Sequence, residues 1–339
     1  MQIRTIAKLP GDGAPLVPSD IPPPRPGERD VLIGVSVCGV CHTDLDEIEG
    51  RAAPPRLPVV PGHQVIGRII EAGRLVTAVR TGDRVGVGWI YSACGACRFC
   101  RDGRENLCPE FLATGRDVNG GYAPYMVARG DFVHPIPPVF SDVEAAPLLC
   151  AGAIGYRSLR LAGIGDGDAL GLTGFGASAH LVLKMVNHVH PRSRVFVFAR
   201  GESERAFARD LGAAWAGDTK ERSPEKLRAI IDTTPAWGPV IEALGNLEPG
   251  GRLVVNAIRK EETDRDALLR LDYPAHLWME KEIKSVANVT RRDIREFLQL
   301  AASIPLKPET REFPLARANE AILDLKSGGV RGATVLRIS

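Results

Sequence analysis

The spacing of apolar positions changes partway along the chain. Up to about residue 93 they fall in short β-branched runs, at 31–37, Val65–Ala72 and Arg84–Val87, broken by Gly and Pro and preceded by Pro22, Pro23, Pro24 and Pro26. Such runs between turn formers predict strands, so this part reads as all-β or α+β, with loops long enough to carry chemistry. From about Ala145 the pattern alternates instead. An apolar helix-like segment, 145–161, leads to a strand at Ala169–Thr173, a Gly-rich turn, a helix at 179–189 and a strand at Arg194–Phe198. A helix at 203–211, a strand at 229–232, a helix at 239–247 and strands at 252–257 and 283–287 follow, the order of a parallel sheet with crossover helices. A helix at Arg291–Ser303, a short stretch at 312–314, a helix at 315–326 and a strand at 333–338 form a tail able to rejoin the first part.

At 339 residues the chain exceeds what one core usually organises, so two domains are expected. Lys plus Arg outnumber Asp plus Glu by 43 to 41, a balance that gives no reason to expect nucleic acid or an anionic membrane as partner. No apolar run approaches the roughly 18 to 20 residues that span a bilayer, and the N-terminus lacks the apolar stretch of a secretory signal, so a cytoplasmic protein is expected. Seven cysteines in a reducing compartment suit metal ligation better than a disulfide framework.

The four-thiol run Cys94-x2-Cys97-x2-Cys100-x7-Cys108, with Arg98, Arg101 and Arg104 interspersed, suits tetrahedral zinc. Four thiolates leave no open coordination position, so this metal would hold together a lobe, 94–108, that has too little apolar sequence to fold alone. An iron–sulfur cluster uses similar ligands and is the alternative. Cys38, Cys41 and Cys150 remain, with His63 in Pro61-Gly-His63-Gln64 as a candidate fourth donor. Cys41, His63 and Cys150 would give the three protein ligands of a catalytic zinc. Equally, a His beside Gly serves in turns, and a Cys after Pro147-Leu-Leu serves as core filler.

A third signal is Gly174-Phe175-Gly176-Ala177-Ser178-Ala179, a Gly-x-Gly-x-x-Ala turn between a strand and a helix, which suits a dinucleotide pyrophosphate at a helix N-terminus. At the end of the next strand, Ala199 replaces the acid that would bind a ribose 2′-hydroxyl, and Arg200 follows it, so NADP is favoured over NAD. Arg205 stands close by for the same phosphate.

Taken in order, Cys38-Gly-Val-Cys-His-Thr-Asp44, Pro61-Gly-His63, Gly82-Asp-Arg-Val85, the four-cysteine lobe, Gly120-Gly-Tyr-Ala-Pro-Tyr125, Leu148-Leu-Cys-Ala-Gly152 and the Gly-rich turn resemble the zinc-dependent alcohol dehydrogenases of the medium-chain dehydrogenase/reductase superfamily. The likeness runs almost end to end. It implies an α/β protein: a GroES-like, mostly-β catalytic domain from 1–150 and 290–339, and a Rossmann doubly wound parallel sheet at 151–289, with the active site in the cleft. It implies Cys41, His63 and Cys150 as catalytic zinc ligands, Cys38 as a non-ligand, Thr43 as the hydroxyl that takes the substrate proton, and Asp44 behind the metal. His42, Ile154, Asn256 and Ala257 would touch the cofactor. Two zinc ions per chain, NADP or alternatively NAD, a small alcohol, aldehyde or ketone as substrate, and a homodimer or homotetramer complete the expectation. A polyol-type dehydrogenase, which typically has a carboxylate as third ligand, and a zinc- and nucleotide-binding protein without turnover are the rival readings.

Four positions depart from the resemblance. Gln64 replaces the usual Glu after the ligand His, and Asp46 stands where many relatives carry a proton-shuttling His. Ile154 replaces a Thr that commonly touches the nicotinamide. Ala333 stands where some relatives carry a pyrophosphate-binding Arg, with Arg331 as a substitute two residues away.

Overall fold

The computed structural model describes residues 1–304, 306–327 and 332–339. It divides into two compact units, Met1–Ala153 with Asn288–Ser339, and Ile154–Ala287. In the first, β1 (Asp30–Val40) pairs antiparallel with β2 (Val65–Ala72) and with β4 (Tyr125–Arg129), while β3 (Arg84–Val87) joins β2 to β5 (Val133–Pro135). The first half of β1 alternates between buried and half-buried residues, and its last four positions are all buried. That alternation is what one core-facing side dictates, and Val31, Ile33 and Val35 supply it, each Val worth about 1.5–3 kcal/mol when taken from water. The seven-residue helix α1 (His42–Ile48) starts directly where β1 ends.

The helical stretch expected at 145–161 is three pieces. Ser141 caps α2 (Asp142–Pro147), its hydroxyl accepting the Glu144 N–H while the Glu144 carboxylate accepts the Ser141 N–H at 2.8 Å. Pro147 has no N–H to continue the α ladder, and the chain passes into a π turn, Leu148–Gly152, before resuming as α3 (Ala153–Ala162).

The second unit holds β6 (Ala169–Thr173), α4 (Ala177–Val189), β7 (Arg194–Phe198), α5 (Glu202–Asp210), β8 (Trp215–Gly217), β9 (Leu227–Asp232), α6 (Gly238–Asn246), β10 (Leu247–Val255) and β11 (Glu282–Ser285). Its six strands are all parallel in the order β8-β7-β6-β9-β10-β11, which is the 3-2-1-4-5-6 order of a Rossmann sheet. Every residue of β6 is buried, because helices cover both faces of such a sheet. Strand β8 is too short and too Ala/Gly-rich to announce itself in the sequence. Strand β10 begins five residues earlier than its apolar run suggests, since Leu247 already pairs with Leu227 ahead of the turn formers Pro249, Gly250 and Gly251.

The tail supplies α7 (Arg291–Ser303), β12 (Thr310–Pro314), α8 (Ala318–Lys326) and β13 (Ala333–Arg337). β13 lies antiparallel to the end of β1, with Leu336 opposite Cys38, and β12 runs parallel to β13. The tail thus stiffens the strand that leads into α1. Among the described residues no helix is long and apolar enough to cross a membrane.

Candidate active site and metal centres

Three side chains far apart in sequence meet at the C-terminal end of β1. Cys41 is the N-cap of α1, His63 sits just before β2, and Cys150 is carried by the π turn. The Cys41 sulfur lies 3.2 Å from His63 Nε2 and 4.0 Å from the Cys150 sulfur. All three donor atoms fall within 4.8 Å of one another. Thiolates on one tetrahedral zinc stand roughly 3.8 Å apart, given Zn–S bonds of about 2.3 Å, so the donor set and its spacing fit that ion. Cys38, by contrast, is wholly buried in the core and outside the cluster.

One carboxylate aligns two of these donors. Asp44 Oδ2 accepts the backbone N–H of Cys41 at 2.8 Å, and Asp44 Oδ1 approaches His63 Nδ1 at 3.5 Å. His63 thereby turns Nε2 toward the sulfurs, the carboxylate–histidine arrangement that orients metal-bound imidazoles. The preceding glycine makes this possible: Gly62 has φ 98°, and a Cβ there would lie 2.3 Å from the Tyr122 ring.

Without a metal the three groups compete for protons. The Cys150 thiol, then His63 and the Thr43 hydroxyl, hold Cys41 well below its ordinary value although burial opposes them. Cys150 is pushed up by its hydrogen bond to Cys41 and by burial. Burial works against a charged His63, but Cys41 and Asp44 together raise it. A divalent cation held by these three donors would replace this proton sharing with a single strong charge.

Sequence reasoning missed Glu47. It lies three residues after Asp44 on α1 and is wholly buried, with the Trp89 side chain beside its carboxyl. Burial first, then the Asp44 charge, push its carboxyl well above the usual range, while His63 and Trp89 pull the other way. Only its spacing from Asp44 hinted at this. Gln64 is buried beside the same region, its carbonyl accepting the Gly39 N–H at 2.9 Å. Asp46, also buried, is held by Arg51, whose Nε donates to Oδ1 at 2.6 Å, while His42 is exposed at the start of α1.

The second cluster is local. All four sulfurs of Cys94, Cys97, Cys100 and Cys108 lie within 4.8 Å of one another, Cys94 and Cys100 at 3.9 Å. Backbone N–H groups point at them: Cys97 donates to Cys94 at 3.3 Å and Glu110 to Cys108 at 3.4 Å. The Ala96 and Cys97 N–H groups lower the Cys94 thiol to about 7, and burial raises Cys100 to about 12. All seven cysteines are free of disulfides.

In the second unit Gly174 follows β6 with φ 77°, its N–H donating to Phe198 at 2.8 Å, and Gly176 caps α4. A Cβ on Gly176 would meet nothing within 4 Å, leaving open space before the N–H groups of Ala177, Ser178 and Ala179. Phe175 packs edge-on against Phe207 on α5. Ala199 is buried at the end of β7 and Arg200 is exposed. Arg205 turns back, donating to the carbonyls of Ala199 and Arg200 at 2.8 and 2.9 Å and pairing with Glu202. Asn256 follows β10 and donates to the Asp232 carbonyl at 2.7 Å, with Ala257 next, and Ile154 opens the unit on α3. Arg331 lies outside the described residues.

A β unit bearing a three-donor and a four-donor metal cluster, with a 3-2-1-4-5-6 parallel sheet in the same chain, defines a medium-chain dehydrogenase/reductase. Residues 27–138 match the alcohol dehydrogenase GroES-like domain. The chain belongs to the alcohol dehydrogenase family: the probable alcohol dehydrogenase AdhA of Mycobacterium tuberculosis is 41% identical over 334 residues, covering 97% of this chain and 94% of that protein. Among solved structures, a cinnamyl alcohol dehydrogenase of Sorghum bicolor is 28% identical with TM-score 0.81, covering 94% of this chain and 92% of that one. The CAD of Helicobacter pylori complexed with NADP(H) is 25% identical with TM-score 0.81, over 92% of this chain and 91% of that one.

Proposed function

We propose that this alcohol dehydrogenase is zinc-dependent, interconverts a primary or secondary alcohol with its aldehyde or ketone, and favours NADP over NAD. The observation that carries the reading is the Cys41–His63–Cys150 cluster, two sulfurs and an imidazole nitrogen converging on one point with Asp44 behind them. A carboxylate third ligand, as in polyol-type dehydrogenases, is replaced by Cys150.

Zinc held by these three residues supplies a Lewis acid that lowers the pKa of a substrate hydroxyl, and the nicotinamide supplies the hydride acceptor or donor. The chain's residues do the rest. Thr43, two residues past Cys41, offers a hydroxyl to the substrate oxygen and passes its proton outward. Asp44 keeps Cys41 and His63 in register. Asp46, pinned by Arg51, gives a carboxylate at the position of the usual shuttle, and the family resemblance assigns cofactor contacts to His42 and Ile154. Gly174 to Ala179 cradle the pyrophosphate.

NADP is favoured because no carboxylate stands at Ala199 and no hydrogen bond or ion pair among the described residues engages the Arg200 guanidinium. Arg205 supports this indirectly by bracing the Arg200 carbonyl rather than by offering a free fork. Cys94, Cys97, Cys100 and Cys108 hold a second, structural zinc. A cytoplasmic homodimer or homotetramer acting on a small molecule is the matching setting. Its support is that β11 pairs only with β10 among the described residues, is exposed along its length, and has Tyr273, Trp278 and Met279 exposed in the preceding segment.

Steady-state rates with NADPH and NADH across a panel of aldehydes, with zinc content measured on the same preparation, test the reading. Two zinc ions per chain and at least about tenfold higher kcat/KM with NADPH are expected, about 1.4 kcal/mol of discrimination. Zinc without turnover on any alcohol or aldehyde would instead favour a binding protein.

A further inference from the structure

A buried ion pair underlies the Gly-rich turn. Asp232, the last residue of β9, stands in register with Thr173, the last residue of β6, and is fully buried. Lys260, on the segment after β10, has a side chain only 8% exposed, and its three ammonium hydrogens are all used: by Asp232 Oδ2, by the Thr234 carbonyl at 2.8 Å and by the Ala236 carbonyl at 3.0 Å. The other Asp232 oxygen accepts the Thr234 hydroxyl at 2.8 Å. Two further bonds secure the same segment. Glu261 N–H donates to the Pro235 carbonyl at 2.8 Å, and Asp264 accepts the Trp237 and Gly238 N–H groups at 2.8 Å, capping α6.

Residues 256–264 therefore form a strap fastened over the 233–238 loop. That loop abuts the turn: Thr233 donates its N–H and its hydroxyl to the Thr173 carbonyl at 2.9 and 3.0 Å, and a Cβ on Gly174 would lie 2.9 Å from Thr233 Oγ1. In a sheet of this order the ligand crevice opens where the strand order reverses, between β6 and β9, so the loop is one of its walls. A buried pair of this kind is often no more stabilising than apolar residues of the same shape, so stability alone does not account for a lysine here.

We infer that Lys260 is a positioning residue for the dinucleotide, holding the 233–238 loop against the Gly174 turn through the Thr234 and Ala236 carbonyls. The inference rests on the proposed dinucleotide site. With no donor left over, Lys260 acts on the cofactor only through the loop.

The test is calorimetric titration of NADPH and NADH into the full-length, zinc-loaded protein, with amide hydrogen exchange of residues 233–238 and the melting temperature recorded alongside. Lys260→Met should raise both dissociation constants roughly tenfold or more and speed exchange at 233–238, with zinc content unchanged. Asp232→Asn takes away the anion that holds the Lys260 ammonium, so it should weaken both dinucleotides in the same direction and speed exchange at 233–238, which also serves if the first variant folds poorly. Lys260→Met binding within about twofold of the wild type despite a lower melting temperature would overturn the inference, as would weaker binding in either variant with exchange at 233–238 unchanged. A wild-type protein that binds neither dinucleotide would remove the underlying site, a separate failure visible before any variant is made.

Discussion

The two cysteine clusters use the same soft donors and differ in almost everything else. The Cys94–Cys108 cluster is drawn from fifteen consecutive residues, half-exposed at three of its four thiols, and its sulfurs face backbone N–H groups. The Cys41, His63 and Cys150 cluster comes from the end of a strand, a loop and a π turn, and is backed by the carboxyl groups of Asp44 and Glu47. A structural site needs its charge satisfied from close by, which peptide N–H groups do. A reactive site needs ligands oriented by groups that tune them, and here Asp44 does so by holding Cys41 on its own helix and His63 from a distant loop.

That contrast breaks most sharply at Cys150. Replacing it with Ser should cost roughly 10³-fold in turnover, about 4 kcal/mol of barrier, and remove one zinc per chain while the melting temperature barely moves. Full activity would end its assignment as a ligand. In the lobe the effect should be reversed. Cys97→Ser is expected to lower unfolding free energy by at least about 3 kcal/mol and expose 94–108 to protease, with the catalytic zinc retained in what stays folded. Asp44→Asn should weaken zinc at the catalytic cluster by about 10- to 100-fold and leave the lobe's zinc untouched, measured by competition with a chelator.

Smaller effects sharpen the comparison. After both metals are stripped, Cys94, at about 7, should be alkylated near neutral pH well ahead of Cys100, at about 12, and equal rates by mass spectrometry would remove the role given to the Ala96 and Cys97 N–H groups. Glu47→Gln is the mildest change. Because the folded state raises the Glu47 pKa, unfolding releases its proton, and the wild type loses stability as pH rises above the unfolded value of about 4. The Gln variant escapes that loss, so its melting temperature should match the wild type in acid and exceed it progressively toward neutrality. A constant difference across pH would mean that Glu47 is ionised or paired.

Legibility in the sequence followed the same local-versus-distant line. The Cys94–Cys108 spacing announces a metal because all its ligands lie within one loop. Strands Val65–Ala72, Arg84–Val87, Ala169–Thr173 and Arg194–Phe198 have the bounds that their β-branched runs predict, since nothing but local pattern sets them. His63 and Cys150 carried no local signal, and only the order of motifs across the whole chain pointed to them. Glu47 was invisible because burial of an acid depends on what distant residues such as His63 and Trp89 bring beside α1, and short spacing cannot report that. The break in the 145–161 helix was hidden by the apolar run 148–154, with Pro147 and Gly152 as the clues.

That break bears on how this chain tolerates change in length. A π turn is an α-helix carrying one surplus residue. Deleting Leu148, Leu149, Ala151 or Gly152 would remove that surplus residue, join α2 to α3 in one helix kinked at Pro147, and turn Cys150 by about 100° relative to α2 or α3, away from Cys41 and His63. The site therefore depends on a count as well as on identities, and a shortened variant carrying every ligand would still lack the means to bring them together.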